Sequence, residues 1–205
     1  MQWSTRRSRA AAVMLTILAG ATASVMAAPA ADGKPATAVF AGGCFWCLEQ
    51  ALDAVRGVVS TTSGFTGGKI AKPTYEEVSA GNTGHVEAVQ VVYDPSQVGY
   101  ADLLKVFWRN VDPVDGGGQF CDRGSQYQSA IFFQSTEERR LAERSRDEVA
   151  RDLHAKIATL ITPAGEFYAA EDHHQDYYKK NPARYKFYKW NCGRERRLKK
   201  VWEGS

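Results

Sequence analysis

Apolar and polar positions follow two rhythms along this chain, and their succession predicts its elements. Val39-Phe40-Ala41 is a short apolar run that reads as a buried strand, after which Leu48, Leu52 and Val55 recur at helical spacing, with Gly57 placed as the C′ residue. "VVSTTSGF" (Val58 to Phe65) is rich in β-branched residues and predicts a second strand. A long polar loop follows from Thr66 to Gly84, with one helical turn at Tyr75 to Val78. His85, Glu87, Val89, Val91 and Tyr93 then alternate onto one face of a third strand, so Glu87 shares a largely apolar face. Tyr100, Leu103, Leu104, Phe107 and Trp108 suit a helix, and "YQSAIFFQ" (Tyr127 to Gln134) suits a strand. Ser135 with Glu138 has the capping-box spacing and starts a charged helix running to about Leu153. "KIATLITP" closes the strand set, and the aromatic, basic remainder reads as helical or irregular.

The order β-α-β-β-α-β-α-β predicts an α+β fold: a mixed sheet with helices packed on one side, a ferredoxin-like βαββαβ core and a C-terminal extension. The 205 residues, 44% of them hydrophobic, are enough for one domain with a sizeable core.

Residues 1–27 carry Arg6, Arg7 and Arg9, an apolar run through Met26 and small residues at the end of "SVMA", the layout of a secretory signal. A mature domain over residues 28–205, exported to the periplasm, is the expectation; an uncleaved membrane anchor is the alternative, since Ala10 to Met26 approaches spanning length. The Arg6-Arg7 pair also raises a twin-arginine route. Without the three arginines of that leader, the 26 basic side chains fall to match the 23 acidic ones. The mature chain thus has no basic surplus to attract nucleic acid, and no stable membrane association is expected after cleavage. A monomer is expected.

"GGCFWCLE" (Gly42 to Glu49) carries the candidate chemistry. A glycine pair leading a strand into a helix that opens with Cys44 sets the sulfur near unpaired N–H groups and the positive end of the helix dipole, which favours the nucleophilic thiolate. Cys44-x-x-Cys47 is also the spacing of zinc sites and thiol redox modules. Zinc needs four ligands, and the remaining cysteines, Cys121 and Cys192, are isolated, although His173 and His174 are available. Two structural disulfides are a further reading of four cysteines in an exported chain.

In order, "GGCFWCLE", "PTYEEV", "TGHVEAVQVVYDP", "CDRGSQYQSAIF" and "AEDHHQDYYKKNP" closely resemble the A-type peptide methionine sulfoxide reductases over nearly all of the mature chain. The resemblance implies repair of oxidised proteins by reduction of the S epimer of methionine sulfoxide, free or protein-bound. It implies a cysteine sulfenic acid intermediate, no bound cofactor and no metal. It assigns Cys44 as nucleophile, Glu87 as acid, Tyr75 and Tyr127 as donors to the sulfoxide oxygen, and Asp122 as an orienting group. Phe45 and Trp46 would line a pocket for the S-methyl group, a contact that suits sulfur and aromatic rings. The chemistry agrees with these residue types, because a sulfoxide needs its oxygen protonated before a thiolate can attack sulfur. A glutamic acid among apolar neighbours would hold that proton near neutral pH. His85 and His174 are assigned to structural hydrogen bonding.

A sulfenic acid on Cys44 must condense with a second thiol. Cys192 ranks first, because many family members keep a resolving cysteine in the tail, although "YKFYKWNCGRERRLKKVW" is less glycine-rich than one common family tail. Cys121 ranks second and Cys47 third, and a relay of two disulfides is open to a chain with a third thiol. The reductant would be a thioredoxin-like protein, or dithiothreitol in its place. The rival class is a thiol redox or zinc-binding module built on Cys44-x-x-Cys47.

Overall fold

The computed structural model describes residues 33–203, so the leader assigned to residues 1–27 lies outside them. Strand β1 (Ala36–Gly42) leads into helix α1 (Phe45–Asp53), followed by β2 (Val58–Thr66), α2 (Tyr75–Ser79), β3 (Val86–Tyr93) and α3 (Tyr100–Arg109). A short ribbon of β4 (Gly118–Gln119) and β5 (Asp122–Arg123) precedes a 3-10 turn (Ser125–Tyr127), β6 (Ser129–Phe133), α4 (Thr136–Asp152) and β7 (Leu160–Pro163). The chain ends in β8 (Phe167–Ala169), α5 (Tyr177–Lys180), α6 (Pro182–Asn191) and α7 (Arg194–Trp202).

The large sheet runs β7-β6-β1-β3-β2-β8. Its four central strands pair antiparallel, which is the split βαβ arrangement expected for a ferredoxin-like core. β7 then adds parallel to β6 through α4, and β8 adds antiparallel to β2, so the sheet is mixed. Alternation along β1 and β3 sends Ala38, Phe40, Val89 and Val91 to one face, against Leu48 and Leu52 of α1 and Leu103, Leu104 and Phe107 of α3. Each such fully buried side chain contributes about 1.5–3 kcal/mol. Glu87 shares the parity of Val89 and Val91, so the register that builds the core also drives a carboxyl under α1.

Four local expectations are corrected. Gly57 is not the C′ residue: α1 stops at Asp53 with Ala54 as its cap, and Gly57 (φ +96°) makes the later turn into β2, where a Cβ would stand 2.8 Å from Val98. Ser135 accepts from the Glu138 N–H, but the Glu138 carboxylate reaches one residue further back, to the Gln134 N–H, so the reciprocal half of the capping box is displaced. Tyr127 belongs to the 3-10 turn rather than the following strand. The tail holds a strand, β8, whose three residues pair with β2 where Gly64 lets the Tyr168 carbonyl approach; a Cβ on Gly64 would lie 2.3 Å from that oxygen.

Candidate active site

The turn between β1 and α1 fixes everything around it. Gly43 has φ +74°, and a Cβ there would meet the Gln119 Cβ at 2.5 Å, so only glycine passes the chain this close to the β4 strand. Cys44 becomes the N-cap of α1 without making a side-chain capping bond, so its thiol is not tied to the helix backbone. One of the orphan donors of the helix start, the Phe45 N–H, is taken by the Glu87 carboxyl at 2.9 Å. Nucleophile candidate and acid candidate are therefore held against the same helical turn, although they come from positions 44 and 87.

Glu87 is 3% exposed, and burial, reinforced by the nearby Asp122 and Cys47 and opposed by the Phe45 N–H bond, pushes its pKa up to about 8. It carries a proton at neutral pH. A cavity of about 60 Å³ beside it is lined by Cys44, Phe45, Trp46, Tyr75, Glu87, Asp122, Tyr127 and Tyr188. Seven of these were singled out from the sequence and are brought together here; Tyr188 was not. Burial also raises the phenol pKa of Tyr75, and likewise that of Tyr127, keeping both as O–H donors.

The aromatic wall continues outward from the cavity. Trp46 stacks on Tyr177 with centroids 3.9 Å apart, and His174 lies 4.3 Å from the Tyr75 ring. His85 meets its structural expectation: Nδ1 accepts from the Gly68 N–H at 3.1 Å and Nε2 donates to the Ile70 carbonyl at 2.8 Å. His174 does not, because neither ring nitrogen has a hydrogen-bond partner and its Nε2 lies 3.9 Å from Glu171; it serves as a packed ring, and burial lowers its pKa.

The cysteines divide into two pairs. Cys44 and Cys47 are reduced and buried, while Cys121 is joined to Cys192 by a disulfide. Burial raises the Cys44 thiol well above its ordinary value, helped by Cys47 and Glu87, so the thiolate expected from the helix start alone is opposed by its surroundings. Cys47 moves the other way, to about 6, through its hydrogen bond with Cys44 and the nearby Arg194, Tyr185 and Lys189, against the effect of burial. The two sulfurs are hydrogen-bonded to each other and titrate as one coupled pair. Arg194 is 3% exposed, donates to the Gly42 and Asn110 carbonyls and lies over the Phe120 ring.

Among the described residues, one cluster of three potential metal ligands occurs, Cys121, Asp122 and Cys192, and its two sulfurs are bonded to each other. No such cluster includes Cys44 or Cys47, and neither His173 nor His174 joins one. Tyr188 and Arg194 were missed because both come from the C-terminal helices. The spacing Tyr185, Tyr188, Cys192 was the available signal: it sets two phenols and a sulfur along one side of α6.

The family model described as peptide methionine sulfoxide reductase matches residues 36–205. A Caulobacter vibrioides protein, peptide methionine sulfoxide reductase MsrA 2, is 50% identical over 194 residues, covering 94% of this chain and 96% of its own length. The reduced form of Mxr1 from Saccharomyces cerevisiae superimposes with a TM-score of 0.70 at 32% identity, over 73% of this chain and 87% of the other. Methionine sulfoxide reductase A of Corynebacterium diphtheriae gives a TM-score of 0.66 at 36% identity, over 78% and 81%.

Proposed function

Since the chain belongs to the peptide methionine sulfoxide reductase family, we propose that it reduces the S epimer of methionine sulfoxide, free and in oxidised proteins, at the cavity beside Cys44. The observation that carries this reading is a buried, protonated Glu87 facing the Cys44 sulfur across an aromatic-walled cavity. Glu87 delivers its proton to the sulfoxide oxygen while Tyr75 and Tyr127 donate to it and Asp122 orients them. The methyl group lies against Phe45 and Trp46. Cys44 gives its proton to the Cys47 side of the pair and attacks sulfur, methionine departs, and the oxygen remains as the Cys44 sulfenic acid. No bound cofactor enters these steps.

Recycling uses the remaining cysteines. Cys47, the sulfur in hydrogen-bonding contact with Cys44, condenses with the sulfenic acid to a Cys44–Cys47 disulfide and water. Exchange with the thiols of Cys121 and Cys192 then returns Cys44 and Cys47 to the reduced form and leaves the oxidised Cys121–Cys192 pair, the combination of states described above. This order differs from one in which Cys192 attacks first, and is favoured because Cys47 is the sulfur already hydrogen-bonded to Cys44. A thioredoxin-like dithiol then reduces that bond. We further propose that the chain is exported, loses residues 1–27 and acts as a periplasmic monomer; the arginine cluster and apolar run before Ala27 support this, and no helix among the described residues is long and apolar enough to cross a membrane.

The test is direct. Purified protein should consume methionine sulfoxide with dithiothreitol and contain no stoichiometric zinc, and Cys44→Ser should keep the fold and lose all turnover. Reduction by Cys44→Ser ends the assignment, and stoichiometric zinc held by Cys44 and Cys47 would favour the rival module.

A further inference from the structure

Tyr188 lines the cavity beside Cys44 and Glu87 without an assigned task. Its hydroxyl donates to the Asp122 Oδ2 at 2.6 Å and is within hydrogen-bonding reach of the Cys44 sulfur. Its ring packs with Cys44, Cys47 and Tyr185 and meets the edge of Trp46 at 6.0 Å. Cys192 follows one turn later and returns its N–H to the Tyr188 carbonyl, while Cys121 directly precedes Asp122. The Cys121–Cys192 bond and the Tyr188–Asp122 bond therefore fasten the same helix turn to the same ribbon at two neighbouring points.

We propose that Tyr188 is a further catalytic residue: its single hydroxyl proton is held by Asp122 while Cys44 is a thiol and turns to the sulfur when the thiolate forms. The proposal rests on Cys44 as the nucleophile. Cys44 faces Cys47 from its own helix, Glu87 from β3, Tyr75 from α2, Asp122 from β5, and Tyr185 and Tyr188 from α6. Cys47 and Glu87 oppose charge on Cys44, and the Tyr188 hydroxyl is the neighbour that favours it. Burial raises the phenol itself, so Tyr188 remains a donor and does not compete for the proton. No atom leaves the site in this step: one hydrogen bond is exchanged for another.

The experiment is alkylation of Cys44 by iodoacetamide across a pH series, with peptide mapping to separate it from Cys47, a readout that does not depend on sulfoxide reduction. Tyr188→Phe keeps the ring and should raise the Cys44 alkylation midpoint by about one to two pH units, the range for a hydrogen bond to a charged group. Phe187→Leu, on the exposed side of the same helix, should leave it unmoved. An unchanged midpoint in Tyr188→Phe overturns the role. Should Tyr188→Phe fail to fold, Tyr188→Leu, which also removes the hydroxyl, takes its place with the same expected direction of shift and the same overturning result. Loss of sulfoxide reduction in the unmodified protein would instead strike the underlying reading.

Discussion

Cys44 and Cys47 are 5% and 4% exposed at the start of α1, whereas the Cys121–Cys192 bond joins the turn of the β4–β5 ribbon to the end of α6, with Cys121 open to solvent. The surroundings that keep Glu87 protonated also wall the first pair off from another protein's thiol. A reductant has to dock on a sulfur it can reach, so a site built to exclude water needs a second, outer pair to discharge through. The division of four cysteines into a reduced buried pair and an oxidised surface pair is what this compromise looks like in a single domain.

The contrast breaks most visibly at the buried pair. Glu87→Gln keeps a group able to bond the Phe45 N–H but has no proton to deliver, and single-turnover reduction should slow by about 10²–10⁴-fold; an unchanged rate moves the acid role to Tyr75 or Tyr127. Because Glu87 acts in its protonated form and its pKa is raised to about 8, that rate in the unmodified protein should fall as pH rises through 8. Rates that fail to fall in single-turnover profiles at alkaline pH would remove Glu87 from the step.

Stability separates the pairs next. The surface bond spans 71 residues of sequence, and Cys192→Ser should cost about 2–4 kcal/mol by denaturant unfolding under oxidising conditions. Cys47→Ser, which opens no disulfide, should cost less, and equal losses would show that the surface bond does not constrain the unfolded chain. The smallest effect is on recycling. Cys192→Ser should still reduce sulfoxide in a single turnover and should accumulate a Cys44–Cys47 bond on peptide mapping. Its turnover with a thioredoxin-like reductant should fall several-fold, while a small thiol such as dithiothreitol restores part of it. A Cys44–Cys121 bond in that variant would rule out Cys47 as the first resolving thiol.

Periodicity made the inner half of this site readable. Val89, Val91 and Glu87 share a strand face, and Leu48 and Leu52 share a helix face, so spacing puts the carboxyl on a largely apolar face, while its place beneath the start of α1 comes from the fold. The outer half had no such regularity. Helix α6 buries Tyr185 but leaves Phe187 and Trp190 66% and 69% exposed, so aromatic residues fall on more than one of its faces and only the spacing of Tyr185, Tyr188 and Cys192 sets Tyr188 apart. β8 is too short for alternation to register. Four cysteines admit several pairings, and choosing Cys121 with Cys192 required the fold to bring their Cα atoms within 5.0 Å.

The 71-residue span of the surface bond also orders events on a chain that emerges from its N-terminus first. Cys44 and Cys47 appear together and have only each other as local partners, whereas Cys121 must wait for β6, α4, β7, β8, α5 and α6 before Cys192 arrives. In the proposed periplasmic setting, oxidative maturation is therefore a race in which the buried pair must be enclosed, not merely made, before an oxidant finds it. In the proposed cycle the two cysteines used last are the ones whose joining reports that α6 has been made.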